Sequence, residues 1–573
     1  MCGIIALIGP QPNDAKKCIQ RGMRNLAHRG PHDEGLLQGK NWSVGHTRLC
    51  IRSKATTGRQ PFSKGNQHLC FNGEIHNYRE LAECLVEADP TWADYLDGSD
   101  TAVAFAAIAH WGTDAFDKFR GQWAIAWIDE STQSAILARD RYGKKPLCYA
   151  SYQNCLAVAS EAHALPGPSA AVSRRAITDF VVTGHYPAAP DSFFPTIKQL
   201  APGAVCKVSL QCPIIEVSAS PPRGITVQSV PSFEEAALQL RELLASSVNS
   251  QAQSLGETRL LLSAGKDSAT LASLYQGGAL TYSSGGPSDE SQEVLEWYGQ
   301  ERSIEVAQPS RILEFQDRFQ AISKTLDAPV ASASLLALDS LFKTALDAGC
   351  RVLLSGQGAD ELLGGYHYYS LLQPRFSDRV KAALEIYGGL YGAFKQARRA
   401  RAAVKLNQEL EQFEVRLDLP RLDARMKADF YGAPLQSMLW YEDRIAMRHG
   451  VEVRYPFLAR DIVELLQSCP PDFHVQGKTR KRLLAAAFEN SWPLPLKVER
   501  QKRGLPADAA GIILENRDFF KEGIYTLSRK LGLELRPAKT ALQASPNVLT
   551  PVAIEMWRLS AAGHFIAERE LVP

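Results

Sequence analysis

No apolar run in this sequence reaches the ~18 residues that a membrane-spanning helix needs, and Met1 to Pro10 lacks the basic flank of a secretory signal. Neither sign of charge prevails. Sixty-four Lys and Arg against 62 Asp and Glu leave +2, which argues against nucleic acid or an anionic membrane as partner. Paired cysteines are missing too: the 11 are scattered, with no Cys-x-x-Cys and no partnered His spacing. That excludes a disulfide framework and a zinc ribbon, and most of these thiols read as reduced core residues. A soluble, cytoplasmic chain is expected, and its 573 residues are enough for two to four domains.

What is present is organised around Arg259-Leu260-Leu261-Leu262-Ser263-Ala264-Gly265-Lys266-Asp267-Ser268. Arg259 to Leu262 reads as the end of a buried strand, and Asp267 to Leu274 as the start of a helix. The small residues between them let backbone N–H groups approach an anion at the positive end of the helix. The spacing is too tight for a Walker A loop, and an ordinary strand-to-helix turn would have the same composition. Ser-x-Gly-x-Asp-Ser resembles the pyrophosphate loop of ATP pyrophosphatases. That resemblance implies ATP contacts from Leu262, Ser263, Gly265, Asp267 and Ser268.

At the other end, Met1-Cys2-Gly3-Ile4-Ile5-Ala6-Leu7-Ile8 puts a thiol ahead of a strand-like run. Removal of Met1 would leave Cys2 with a free α-amine, whose pKa of ~7.7–8.0 suits a base that activates the thiol. A buried strand cysteine is the plainer alternative. His28-Arg29-Gly30-Pro31-His32-Asp33, Gly45-His46-Thr47-Arg48, Phe71-Asn72-Gly73-Glu74 and Gly98-Ser99-Asp100-Thr101 follow in order. Together they resemble the class II glutamine amidotransferases, whose terminal cysteine hydrolyses glutamine to glutamate and ammonia. On that resemblance Asn72 and the Gly73 N–H stabilise the oxyanion, Arg48 forks onto the glutamine carboxylate, and Glu74 and Asp100 hold its ammonium group. Taken singly, Asn72-Gly73 is a hairpin turn as readily as an oxyanion hole. Trp123–Asp129 and Ser134–Asp140 read as a hairpin, and the charges of Arg139 to Lys145 as a structural ion-pair cluster. The resemblance implies an N-terminal nucleophile hydrolase fold, an α/β/β/α sandwich, over 2–210.

The Pro- and Gly-rich stretch 211–231 reads as linker, and Ser232-Phe233-Glu234-Glu235 as a capping box that opens the unit 232–573. Strands then alternate with helices, as in a parallel-sheet α/β domain with ligands beyond the strand ends. Leu280–Ser284, Ile304–Val306 and Arg351–Leu354 are the strands, and Leu338–Ala348 is a helix. Ser355-Gly356-Gln357-Gly358-Ala359-Asp360 forms a second loop expected to face the first. Asp267 and Asp360 could share a Mg²⁺ ion against pyrophosphate, or each could cap a helix.

From Cys2 to at least Pro506 the chain resembles the glutamine-hydrolysing asparagine synthetases. Asp443-Arg444-Ile445-Ala446-Met447 through Glu452-Val453-Arg454-Tyr455-Pro456-Phe457-Leu458, and Arg500-Gln501-Lys502, carry that likeness. It implies an ATP-binding set extended by Ser283, Ser355 and Gly356, Lys502 on the adenylate phosphate, an ammonia tunnel, and a carboxylic acid acceptor, with aspartate foremost. It leaves a homodimer open. There are departures. Ala264 replaces a glycine, a cost if positive φ is needed there. Gln357 stands where the best-known members carry a Glu thought to handle the ammonia proton, and Gln is no base. The acceptor pocket, expected along Asp327 to Ser334, matches only loosely, and the Arg-rich segment 395–405 reads as a solvated helix face. Amidation of another acid, ring closure, and a lapsed regulatory homologue are the competing readings.

Overall fold

The computed structural model describes residues 2–52, 56–167, 171–218, 231–286, 289–309, 315–372, 421–497, 507–532 and 552–572. Its amino-terminal half is built on strand β1 (Cys2–Ile8), in which every residue is buried because both faces of the strand are covered. Ile4, Ala6 and Ile8 pack between two sheets. Ile5 and Leu7 join the cluster that holds Ile19 and Met23 of the helix Ala15–Asn25.

The first sheet also contains β2 (Asp33–Gln38), β3 (Trp42–Arg48), β8 (Cys148–Tyr152), β9 (Cys155–Ala159) and β11 (Lys198–Gln199), in the order β11-β8-β9-β1-β3-β2. The second comprises β4 (Phe62–Lys64), β5 (Gln67–Ile75), β6 (Gly121–Asp129), β7 (Ser134–Arg139), β12 (Val205–Ser209) and β13 (Ile215–Ser218), ordered β13-β12-β7-β6-β5-β4. Helix Asp100–Trp111 covers its outer face through Val103, Phe105 and Ala106, which pack with Leu69, Phe71, Ile125 and Trp127. Helix, sheet, sheet and helix make the expected four-layer sandwich. The hairpin of β6 and β7 is antiparallel as expected. Strand β13, which pairs with β12, occupies part of the stretch read as linker; residues 219–230 lie outside the described ones.

The second half opens with helix Phe233–Ala252, capped by Ser232 and Glu235 in a reciprocal box. Strands β14 (Glu257–Leu261), β15 (Ala279–Tyr282), β16 (Ile304–Ala307), β17 (Cys350–Leu354) and β18 (Glu452–Arg454) form one parallel sheet, ordered β16-β15-β14-β17-β18. The order reverses at β14, so the carboxyl ends of β14 and β17 flank the crevice where such sheets bind ligands. The halves are also joined by a short parallel pair, Ala171–Ser173 with Glu570–Val572. Among the described residues no helix is long and apolar enough to cross a membrane.

Candidate functional site

Strand pairing sets Cys2 opposite Arg48, and β5 of the facing sheet brings Asn72, Gly73 and Glu74 across to them. Cys2, Arg48, Gly73, Glu74, Asp100 and Thr101 line one cleft with Arg52 and Gln60, which the sequence reading did not single out. The Cys2 backbone nitrogen donates to Asn72 Oδ1 at 3.0 Å. This bond turns the amide so that its buried Nδ2 has no hydrogen-bond partner. A buried donor left unused costs about 1–3 kcal/mol, and an oxyanion formed beside the thiol would use it. Gly73 lies within a strand, not a turn, and a Cβ there would stand 2.1 Å from the Gln122 backbone oxygen. Burial pushes the Cys2 thiol above its ordinary pKa, so attack needs a base close by. An α-amine freed at Cys2 would be held by Asn72.

The two carboxylates of this cleft differ in state. Burial, then the neighbouring charge of Glu74, raises Asp100 to about 6; its Oδ2 accepts from the Ile75 N–H at 3.2 Å. Burial also acts to raise Glu74, but Arg454 at 2.6 Å and Arg52 at 3.6 Å outweigh it and hold Glu74 well below the carboxylate range. Arg454 ends β18, so the second half supplies a cation to the first half's cleft.

Leu262, Ser263 and Gly265 follow β14, Ser268 enters helix Lys266–Leu274, Ser283 follows β15, and Ser355 and Gly356 follow β17. The expected ATP set therefore gathers at the carboxyl ends of three strands. Ser268 Oγ closes the first loop by accepting from the Ser263 N–H at 3.1 Å. The loops do face each other: a Cβ on Gly356 would lie 3.2 Å from that of Asp267. Ala264 is not among the positive-φ residues, so the missing glycine costs nothing at that position.

Asp267 and Asp360 stand in the first turns of their helices, whose N-cap positions are the glycines Gly265 and Gly358. Both reach the ammonium of Lys481, at 2.5 Å and 2.7 Å. Burial opposes its charge, but Asp267 and then Asp360 raise the Lys481 pKa above the lysine range. Lys481 has φ +54, a strained backbone for a long side chain. Nothing in its local sequence marks it, and only the fold brings it here. Two carboxylates converging on one cation are a hard oxygen set of the kind Mg²⁺ takes. Gln357 donates its N–H to Ser355 Oγ at 3.3 Å, whereas Lys502 and 395–405 lie outside the described residues.

A buried ionic network joins the two halves. The Arg29 guanidinium, fully buried, donates from Nε to the Cys2 carbonyl at 3.1 Å, from Nη1 to Glu161, and from Nη2 to Asp443 at 2.9 Å. Lys145 Nζ lies 3.1 Å from both Asp443 and Glu452. Arg444 reaches Glu161 at 3.0 Å and Asp327 at 3.5 Å. Asp327, from the segment expected to border the acceptor pocket, also meets His163 at 3.1 Å. Burial works against that imidazolium, yet Asp327 and Glu161 raise its pKa to about 9.

The sandwich with its cysteine cleft defines the first half as a glutamine amidotransferase domain, and the family model of that description matches residues 1–213. The asparagine synthase model matches 239–536, more than half of the chain: the chain belongs to the asparagine synthase family, whose members use ATP. It is similar to a putative glutamine-hydrolysing asparagine synthetase of Mycobacterium tuberculosis (strain H37Rv), with 26% identity over 88% of this chain and 87% of the relative. Glutamine-hydrolysing asparagine synthetase 1 of Bacillus subtilis (strain 168) matches at 24% identity over the same shares.

If the halves act separately, Cys2→Ala abolishes glutamine-dependent product but spares the reaction driven by ammonium salt, as product assays with each nitrogen source will report. Mass spectrometry of active enzyme should find Met1 removed. Asp100, with its raised pKa, is neutral below about pH 6 and charged above it. The KM for glutamine is therefore expected to rise as pH falls through about 6, and to be high and flat in Asp100→Asn. Asp267→Asn and Asp360→Asn should each stop ATP-dependent pyrophosphate release with glutaminase intact, and the double variant should be no worse than either.

Proposed function

We propose that this chain is a glutamine-dependent ligase that adenylates the side-chain carboxylate of aspartate and amidates it to asparagine. The observation that carries this reading is that one buried guanidinium, Arg29, bonds the Cys2 carbonyl and the Asp443 carboxylate. It thereby ties the strand that begins with Cys2 to helix Ala433–Arg448 of the second half. The Cys2 thiol attacks the glutamine amide, with Asn72 Nδ2 and the Gly73 N–H receiving the oxyanion and Arg48 and Asp100 orienting the substrate.

In the crevice the loop of Ser263 to Ser268 cradles the ATP phosphates at a helix N-terminus, while Ser283, Ser355 and Gly356 complete the nucleotide site. Asp267 and Asp360 would hold Mg²⁺, which when bound neutralises the charge of departing pyrophosphate. Lys481, whose ammonium those carboxylates hold, would have to give them up to the ion. Lys502 is assigned to the adenylate phosphate. Asparagine, AMP, pyrophosphate and glutamate leave. Gln357 favours one further reading, the same chemistry on a different acid, because the carboxylate that the resemblance leads one to expect at that position is missing.

Pyrophosphate release and amide formation measured over a panel of carboxylic acids test the assignment. Aspartate should support both, with Gln357→Glu neutral or harmful because it places a carboxylate beside phosphates. Silence with millimolar aspartate, while another acid is active in the same preparation, transfers the function to that acid. A rise within the ~10²–10⁴ range of general-base catalysis in Gln357→Glu would mean that the wild-type site lacks a base.

A further inference from the structure

Glu442 lies on helix Ala433–Arg448, one residue before Asp443, yet shares none of its neighbour's cations. Asp443 takes Arg29 and Lys145, and Glu452 on β18 takes Lys145 as well. Among the described residues the polar neighbours of Glu442 are hydroxyls. Ser355 Oγ lies 3.3 and 3.2 Å from its two oxygens, and the Tyr455 hydroxyl is its other polar neighbour. Ser355 is the first residue beyond β17 and Tyr455 the first beyond β18. The carboxyl therefore sits over the carboxyl ends of two adjacent strands, where a parallel sheet binds its substrates. It also lies on the β18 side of the crevice, and β18 meets the amino-terminal half through Glu452 with Gln122 and Arg454 with Glu74. The Cys2 cleft, which Glu74 lines, therefore adjoins this side of the sheet. Ser355 Oγ, the link to Glu442, also accepts the N–H of Gln357.

We propose that Glu442 is the proton acceptor of the amidation step, working through Ser355 Oγ. The proposal rests on the ligase reading above. Ammonia forms the C–N bond to the acyl-adenylate carbon, giving a tetrahedral adduct with a positively charged nitrogen. One N–H proton passes to Ser355 Oγ as the serine hydroxyl proton passes to the Glu442 carboxylate. The C–O bond to AMP then breaks with its electron pair leaving on the phosphate, and the amide remains. Glu442 returns its proton to solvent before the next turnover. A glutamine at position 357 is then no defect, because the helix supplies the carboxylate that the second loop lacks.

Burial lifts the Glu442 carboxyl to about 8, against smaller lowering by the Ser355 and Tyr455 hydroxyls. The charged groups of the surrounding elements, Asp443, Glu452, Arg29 and Lys145, are engaged with one another. A base with its pKa near the working pH is the effective kind. With the pKa raised, the group is protonated and idle at low pH and competent above about pH 8.

The test is ammonia-driven amidation at a fixed concentration of un-ionised ammonia, followed across pH beside acceptor-dependent pyrophosphate release. Wild-type amidation should climb through about pH 8. Glu442→Gln should keep pyrophosphate release and glutaminase, lose amidation by about 10²-fold or more, and lose the pH limb; Glu442→Asp should regain part of both. Unchanged amidation in Glu442→Gln, or equal loss of pyrophosphate release and amidation, overturns the proposal. Should Glu442→Gln fail to fold, a wild-type profile flat through about pH 8 overturns it alone. Failure of the ligase reading is distinct: wild-type enzyme would release no pyrophosphate with any acid, which overturns both.

Discussion

The fork of Arg29 is the constraint on which the meeting of the two halves depends. A guanidinium presents its donors in one rigid plane, and here Nε, Nη1 and Nη2 are given to the nucleophile's own carbonyl, to Glu161 and to Asp443. Strand β1 and helix Ala433–Arg448 are thus fixed against each other by a single side chain, and the Cys2 cleft is set relative to the β17–β18 edge. Burying so many charges is a poor way to gain stability, since the desolvation penalty can exceed the attraction. The arrangement instead fixes geometry. Lys145 on Asp443 and Glu452, Arg444 on Glu161, and Arg454 on Glu74 repeat the same pattern of a charge from one half meeting its counter-charge in the other.

What the sequence disclosed was what is local. The loops after β14 and β17, the capping box at Ser232, and the cleft set of Cys2, Arg48, Asn72, Gly73, Glu74 and Asp100 are short motifs, and each was readable at its own position. Asn72-Gly73 was ambiguous because the dipeptide suits a turn as well as a strand; pairing along the whole of β5 decides it. Asp267 and Asp360, open from sequence between capping and metal binding, follow glycine N-caps and meet on the Lys481 ammonium. Arg139 and Asp140 were read as an ion-pair cluster, and their role is structural by another means. Arg139 donates to the carbonyls of Lys145, Leu200 and Gly143, and Asp140 accepts the N–H groups of Tyr142, Lys144 and Lys145.

The residues that went unseen, Arg52, Lys481 and Glu442, act across long separations. Lys481 is 214 positions from Asp267, and Glu442 is 87 from Ser355. No periodicity or spacing in one sequence records such a pairing, because it is set by the order of strands in a sheet and by how two domains dock.

That docking also decides which carboxyls are charged. Burial penalises each of them, so the state of each depends on whether a cation is delivered to it. Glu74 receives Arg454 and Arg52 and stays ionised; Asp100, beside that charge, is raised. Asp443 receives Arg29 and Lys145 and is held low. Asp267 and Asp360 share Lys481. Glu442, one residue from Asp443 and also buried, has two hydroxyls as neighbours and is pushed up instead. Consecutive residues of one helix thus end in opposite states, one a fixed anion that anchors the domains and the other a carboxyl poised to exchange a proton. This difference follows from the reach of Arg29 and Lys145, so the contacts that hold the halves together also set the chemistry at the place where they meet.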